Sequence, residues 1–138
     1  MIGGHLLDSS ALWHLFRNAK ALEAWHETIA AGGFRICEAT RTEMLYSARN
    51  SEHRDEMIER LDSFSKIAPV PKLAWRWVET AQYRLTQRGL HRSAKAIDLL
   101  VCATAVHHDL TVLHVDNDFR TVASAMPELR ERDVRPLC

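Results

Sequence analysis

Asp98 is a carboxylate set inside apolar sequence. The run around it, residues 94–107, is rich in Ala and Leu and contains neither Gly nor Pro, which predicts a helix buried on most of its faces. Ser93 is the candidate N-cap of this helix. A buried carboxylate without a partner is unfavourable by several kcal/mol or takes up a proton. Asp98 is therefore the first candidate for a role in chemistry.

Three further acids are expected at the same place in the fold. Asp8 and Asp116 each come directly after a short apolar stretch that predicts a β-strand, and Glu43 lies in the first turn of a predicted helix. The carboxyl ends of parallel strands meet at one edge of a sheet, and the helix after a strand begins at that edge. Asp98 joins them if the loop before its helix, residues 89–93, folds back over this edge.

The four acids together predict a metal site. Carboxylates that converge on one small volume repel one another unless a cation neutralises them. Ligand sets made only of oxygen select hard cations such as Mg²⁺ or Mn²⁺. The chain has no Gly-rich phosphate-binding loop. A carboxylate cluster at a sheet edge without such a loop favours metal-assisted chemistry on a phosphodiester.

Each acid also has an ordinary structural interpretation. Asp is a common N-cap residue, so Asp8 is explained equally well as the cap of the helix that follows it. Glu43 taken alone is typical of a solvated helix. Residues 116–118, Asp-Asn-Asp, are typical of an ordinary turn followed by a helix cap. Only the combination of all the acids in one chain favours a shared site.

Composition indicates one globular α/β domain over residues 1–138 with a core of its own. Hydrophobic residues make up 46% of the chain, and 18 basic residues balance 18 acidic ones. Contacts with nucleic acid would therefore depend on local patches and not on overall charge. The three cysteines, Cys37, Cys102 and Cys138, form no CxxC pair, which favours a reducing cytoplasm. No signal peptide or membrane span is predicted.

Short apolar stretches alternate with helical ones along the chain. This alternation predicts βαβ crossovers, and hence a mainly parallel central sheet with helices on both faces. Gly89 is predicted to end one of the helices. The predicted strands are residues 2–7, 34–37, 110–115 and 134–137. The first predicted helix begins near residue 11. The other predicted helices are residues 19–31, 40–48, 52–65, 72–88, 94–107 and 119–126. Residues 68–71 are predicted to be a linker or edge segment.

The sequence around the four acids resembles a known family. The matching pieces are LLDSSAL around Asp8, TEMLYSAR around Glu43, AIDLLVCATA around Asp98 and VLHVDNDF around Asp116. In this order and spacing they are similar to the PIN-domain ribonucleases, in particular the VapC-like toxins of bacterial toxin–antitoxin pairs, over essentially the whole chain. The resemblance implies a single three-layer α/β/α PIN-like domain that cleaves RNA with Mg²⁺ or Mn²⁺ as cofactor.

The resemblance also implies a mechanism and partners. A metal-activated water would attack the scissile phosphorus of the RNA, without a protein nucleophile, and leave 5′-phosphate and 3′-hydroxyl ends. The protein is expected to be a cytoplasmic homodimer without membrane association. A small cognate antitoxin is expected to block its site.

The family's site residues carry over by position. The resemblance makes Asp8, Glu43, Asp98 and Asp116 the catalytic, metal-binding acids. Asp118 matches a position that is often acidic, and it is a further candidate ligand.

Other polar residues are expected around these ligands. Ser10 matches the family's hydroxyl two residues after the first acid. His114 departs from the family, which usually has Thr or Ser two residues before the last acid; an imidazole there either weakens the orientation of the ligands or replaces the hydroxyl as a donor. A basic run before the buried helix is a candidate for RNA phosphate contacts, and it consists of Arg84, Arg88, His91, Arg92 and Lys95.

Two other classes of function are compatible with an Asp that follows a strand. A phospho-aspartyl phosphatase, phosphotransferase or receiver domain also places one there. Against this class, residues 8–10 lack the second acid of the haloacid-dehalogenase pair, and no Lys follows the later strands. The other class is a catalytically idle PIN-like module that only binds its partner, and the complete set of acids argues against it.

Overall fold

The computed structural model describes residues 4–135. Within them, five short strands form one sheet, packed between eight helices, none of which is long and apolar enough to cross a membrane. The strands are β1 (His5–Leu7), β2 (Phe34–Ile36), β3 (Lys66–Ile67), β4 (Thr111–His114) and β5 (Glu131–Asp133). The helices are α1 (Ser9–Arg17), α2 (Ala19–Ala24), α3 (His26–Ala30), α4 (Glu38–Tyr46), α5 (Ser51–Phe64), α6 (Ala74–Gln87), α7 (Ala96–His107) and α8 (Asp118–Ala125).

The sheet is parallel throughout, with the strand order β3-β2-β1-β4-β5. The central strand is β1, in which His5 is in register with Phe34 of β2 and with Thr111 of β4. Strands that follow one another in the chain are joined through at least one helix, as parallel pairing requires. The predicted parallel α/β sheet is confirmed.

Two apolar cores pack against opposite faces of the sheet. Successive residues of a strand point to opposite faces, so Leu6 and Val112 contribute to one core, and Leu7 and Leu113 contribute to the other. The first core also contains side chains of α6, α7 and α8, and the second contains side chains of α1 and α5. This is the three-layer α/β/α arrangement that the sequence predicts.

Helix α7 is buried over most of its length, as its apolar sequence predicts, with residues 99–105 all buried. Its N-cap is Lys95, so the prediction of Ser93 was wrong. The Ser93 hydroxyl instead donates to the Leu90 carbonyl at 2.7 Å in the preceding turn. That turn follows Gly89, which adopts a φ of 70° just beyond α6, so the prediction that this glycine ends the helix is confirmed.

The two edge strands lie where the sequence does not predict them. The strand β3 precedes the predicted linker at residues 68–71, and it was missed because it has only two residues, both exposed. The strand β5 ends at Asp133, whereas the predicted strand begins at residue 134. Charged side chains are typical of edge strands, and here they hide the strand from a search for apolar runs. Residues 2 and 3 of the first predicted strand, and 136 and 137 of the last, lie outside the described residues.

The predicted helix at residues 19–31 is divided into α2 and α3, which meet at Trp25. The Trp25 ring packs against Phe34, with centroids 5.6 Å apart, and its Nε1 donates to the Val134 carbonyl at 3.4 Å. These contacts with the sheet fix the indole and interrupt a sequence that is helical by local preference, since tertiary contacts override propensity.

Candidate active site

Asp8 lies at the carboxyl end of the central strand and is the N-cap of α1. Its Oδ2 accepts the Ser10 backbone N–H at 3.1 Å and the Ser10 hydroxyl at 2.8 Å. Only 4% of Asp8 is exposed. Burial raises the pKa of this carboxyl, the Ser10 hydrogen bonds oppose the rise, and the charge of Glu43 adds to it. Asp8 is thus a helix cap and a member of a carboxylate group at once.

Asp116 lies beside Asp8, because it follows the strand that pairs with β1. The Asp8 N–H donates to the Leu113 carbonyl at 3.0 Å and ties the two strand ends together. The Asp116 Oδ1 accepts the Asp118 N–H at 3.0 Å, which fixes the carboxylate at the start of α8. Desolvation and then the Asp116 charge raise the pKa of Asp118. Asp118 therefore lies next to Asp116.

Asp98 lies in the first turn of α7, where it is half-buried and its Oδ2 accepts the Lys95 backbone N–H at 3.1 Å. Its pKa is raised to about 6. Burial is the main cause, the Lys95 hydrogen bond opposes it, and the charges of Asp8, Asp116 and Glu43 raise it further. The fold therefore brings all four acids within electrostatic range of one another, which requires α7 to begin at the carboxyl edge of the sheet.

Glu43 forms the solvent-facing side of this group. It is exposed on α4, whereas the other three acids are at least partly buried. Its charge nevertheless raises the pKa of both Asp8 and Asp98. We refer to the four acids together as the acid cluster: Asp8, Glu43, Asp98 and Asp116.

The acid cluster suits a hard divalent cation. Its donor atoms are carboxylate oxygens, the ligands that Mg²⁺ and Mn²⁺ prefer, and a cation would relieve the repulsion that helps to raise the pKa of Asp98. The nearby Cys102 thiol is not a competing soft ligand, since burial and the charges of Asp98 and Asp8 raise its pKa well above the usual range. Within residues 4–135, no three His, Cys, Asp or Glu side chains stand close enough to hold an ion between them.

Two side chains hold the backbone that carries Asp116. The Ser10 hydroxyl donates to Asp8 and also accepts the Val115 N–H at 2.9 Å. The His114 Nδ1 accepts the Asp116 N–H at 3.0 Å. Both residues contact the acid cluster. Of the two alternatives that the sequence left for His114, a role as donor is wrong for its contact with Asp116, where the imidazole accepts.

Glu131 and Phe119 also belong to this site, although the sequence does not point to them. The Glu131 Oε1 lies 2.7 Å from the His114 Nε2, and the Phe119 ring stacks on the imidazole with centroids 5.0 Å apart. Glu131 lies in a charged segment that looks solvated, and only the pairing of β5 with β4 brings it here. Phe119 gives a weak signal, as the first apolar residue after Asp116.

The predicted basic run divides into two groups, and the first lies away from the acid cluster. The guanidinium groups of Arg84 and Arg88 donate to the carbonyls of Ala125 and Ser124, at 3.2 and 3.0 Å. These carbonyls are at the C-terminal end of α8, about 10 Å from the end that carries Asp118. Cations there complement the helix dipole, so both arginines join α6 to α8.

The second group of basic residues lies in the segment that leads into α7. His91, Arg92 and Lys95 are exposed. Lys95 is close to the acid cluster, because its backbone N–H donates to Asp98. These three side chains are available to contact a phosphate backbone beside the cluster.

Replacing Ser10 with alanine should lower the free energy of unfolding by about 1 to 2 kcal/mol, because two hydrogen bonds are lost and one of them involves a carboxylate. Urea denaturation of the metal-free protein measures this loss. Ser9→Ala is the matched control, since the Ser9 hydroxyl forms no hydrogen bond within residues 4–135, and it should change stability by less than about 0.5 kcal/mol. Equal losses in the two variants would show that the Ser10 hydroxyl makes no specific contribution.

The PIN-domain family model matches residues 5–125 of the chain, which include the whole acid cluster. The chain belongs to the PIN-domain family. Ribonuclease VapC6 of Mycobacterium tuberculosis is 39% identical to it over 98 residues, which cover 71% of this chain and 77% of the relative. Ribonuclease VapC21 of the same species is 35% identical over 135 residues, which cover 96% of this chain and 95% of the relative.

Solved structures share the fold. The DNA-bound VapBC of Salmonella typhimurium aligns with a TM-score of 0.77 at 17% identity, over 96% of this chain and 99% of that one. VapBC2 of Rickettsia felis, bound to a fragment of its promoter DNA, aligns with a TM-score of 0.78 at 14% identity, over 94% and 97%. At these identities the likeness concerns the fold, and the predicted PIN fold is confirmed. Ribonucleases of the VapC type generally depend on a divalent metal.

Proposed function

We propose that the protein is an endoribonuclease, the toxin of a VapBC-type toxin–antitoxin pair, and that Mg²⁺ or Mn²⁺ is its cofactor. The observation that carries the proposal is the convergence of four carboxylates at the carboxyl edge of the sheet, where the pKa of Asp98 is raised to about 6. Similarity to ribonucleases VapC6 and VapC21 over most of the chain supports RNA as the substrate.

In this proposal Asp8, Asp98 and Asp116 hold the cation, with Glu43 as a direct or water-mediated ligand. When bound, the cation supplies Lewis-acid catalysis, by activating water and offsetting charge on the phosphate oxygens. The Ser10 hydrogen bonds favour the ionised form of the buried Asp8 carboxyl and keep it available as a ligand. No side chain is needed as a nucleophile.

Residues around the acid cluster have supporting roles in the same proposal. The Asp118 carboxylate is a further candidate ligand, since this residue lies next to Asp116 and donates its backbone N–H to the Asp116 side chain. His91, Arg92 and Lys95 would contact RNA phosphates, because all three are exposed in the segment that leads into α7, where the Lys95 N–H donates to Asp98. The guanidinium groups of Arg84 and Arg88 already donate to carbonyls of α8. We therefore assign the phosphate contacts only to the basic residues that lead into α7.

The expected protein partners are a small cognate antitoxin that blocks the acid cluster and a second copy of this chain. The antitoxin is supported by the VapBC complexes that share the fold. A reducing cytoplasm is the expected compartment, and the free, buried thiols of Cys37 and Cys102 agree with it.

RNA cleavage by the purified protein tests the proposal. We expect cleavage of labelled single-stranded RNA in Mg²⁺, none in EDTA, and recovery when Mn²⁺ is added after chelation, because all the ligands are carboxylates. A denaturing gel with end analysis should show 5′-phosphate products. Cleavage that persists in EDTA would refute the metal mechanism, and covalent trapping of an aspartate by beryllofluoride would indicate a phospho-aspartyl enzyme instead.

A further inference from the structure

His114 is almost fully buried, with 3% of it exposed, and both of its ring nitrogens have hydrogen-bond partners. The Asp116 N–H lies 3.0 Å from Nδ1, and the Glu131 Oε1 lies 2.7 Å from Nε2. A backbone N–H can only donate, so Nδ1 must be the acceptor, and the proton of the neutral ring is on Nε2. That proton is donated to the carboxylate of Glu131.

Glu131 and Phe119 leave the imidazole with one orientation. His114 of β4 is in register with Asp133 of β5. Glu131 comes two residues before Asp133 on the same strand, so it lies diagonally across from His114. Its bond to Nε2 is charge-assisted, and such bonds are the stronger ones. The Phe119 ring stacks on a face of the imidazole at an interplanar angle of 23°. The side chain is therefore fixed both by hydrogen bonding and by packing.

The imidazole holds one of two consecutive backbone amides at the end of β4. Val115 donates its N–H to the Ser10 hydroxyl, and Asp116 donates its N–H to His114. The Asp116 carboxylate in turn accepts the Asp118 N–H. The direction in which Asp116 points thus depends on where the ring of His114 places its backbone.

We propose that His114 is a positioning residue for Asp116, and that Glu131 and Phe119 keep its ring in the tautomer and orientation that this requires. At this position the chain has an imidazole where the family usually has the smaller hydroxyl side chain of Thr or Ser. The catalytic part of the proposal rests on the proposed function, since Asp116 matters for cleavage only if the acid cluster holds the cation.

Two substitutions separate the two ring nitrogens. In His114→Asn the amide oxygen can occupy the place of Nδ1 and accept the Asp116 N–H. In His114→Gln the longer amide can occupy the place of Nε2, so that it contacts Glu131 and leaves the Asp116 N–H without an acceptor. The pair therefore distinguishes positioning of Asp116 from simple filling of the core.

Amide hydrogen exchange in the metal-free protein, followed by NMR, is the first readout. We expect exchange at Asp116 to be roughly three- to tenfold faster in His114→Gln, the range that corresponds to loss of one hydrogen bond, and close to wild type in His114→Asn. Exchange at Val115 should be unchanged in both variants, because the Ser10 hydroxyl still accepts from it. Equal exchange at Asp116 in all three proteins would overturn the proposal.

RNA cleavage is the second readout. The kcat of His114→Gln should fall about tenfold with little change in KM, while His114→Asn should retain most of the wild-type kcat. His26→Gln, which changes an exposed histidine on α3, should leave both readouts unchanged. Equal loss of kcat in the Asn and Gln variants would assign His114 to packing alone. If wild type does not cleave RNA, the proposed function fails, and the exchange at Asp116 still decides whether His114 positions the backbone.

Discussion

Replacing Asp98 with asparagine should lower the kcat/KM of RNA cleavage by at least about a hundredfold, because losing a side chain that merely orients a metal ligand already costs roughly 10- to 100-fold. Asparagine keeps the shape of the side chain, and its oxygen can still accept the Lys95 N–H that Asp98 accepts at 3.1 Å. The substitution therefore removes charge from the acid cluster without removing the bond at the start of α7. Initial rates on one defined RNA at saturating Mg²⁺ measure the effect.

Asp109→Asn is the matched control. Asp109 is exposed at the opposite edge of the sheet, just before β4, where it pairs with Arg130 at 2.7 Å. Asparagine tolerates the positive φ of 57° at this position. The control should cleave RNA within about twofold of the wild-type rate. Expressed without an antitoxin, wild type and the control should arrest bacterial growth and Asp98→Asn should not; arrest by Asp98→Asn would place the toxicity outside the acid cluster.

The same substitution should have opposite effects on stability with and without metal. In EDTA at pH 7, Asp98→Asn should be more stable than wild type, because it relieves a buried carboxylate of the repulsion and desolvation that raise its pKa from 3.8 to about 6. That rise corresponds to about 3 kcal/mol in full, and solvent screening of this partly exposed group reduces it to about 1 kcal/mol. With Mg²⁺ at a hundred times its Kd, wild type gains about 2.7 kcal/mol and should become the more stable protein.

Thermal melting of both proteins in EDTA and in excess Mg²⁺ measures this reversal. In EDTA the difference should also depend on pH. Because the folded-state pKa of Asp98 is raised, its contribution to the stability of wild type is present below about pH 4 and is lost as the pH rises to about 6. The two melting temperatures should therefore be similar at pH 4 and separate by pH 6. Equal destabilisation by Asp98→Asn in EDTA and in Mg²⁺ would make Asp98 a purely structural residue.

The acid cluster could be predicted from the sequence because each acid is tied to a pattern of its neighbours. Asp8 and Asp116 end apolar strands, so strand periodicity places them at one edge of a parallel sheet. Asp98 interrupts an apolar helix, which marks it as unusual, but the sequence places it at this edge only if the loop at residues 89–93 folds back. Glu43 had the weakest local signal, and it proves to be the exposed member of the cluster. Glu43 reaches the cluster because its helix, α4, follows strand β2 in the sheet, and its neighbouring residues in the sequence do not indicate this.

Several long-range contacts could not be predicted in the same way. Glu131 is a charged residue in a charged segment, and nothing local indicates that β5 pairs with β4. Arg84 and Arg88 form a basic run with the residues before α7 in sequence, yet they cap α8 in space. Each of these contacts joins elements that are distant in the chain, so only the three-dimensional packing determines it.

The central position of β1 has a consequence for how this protein is made. Its neighbour β4 is synthesised about a hundred residues later, and the Asp8 N–H has its acceptor, the Leu113 carbonyl, only then. A translation product that stops before β4 would lack both this strand and Asp116. The four acids can therefore assemble only after the ribosome has passed residue 116, and a chain that stops before β4 would lack the complete acid cluster on which toxicity is expected to depend.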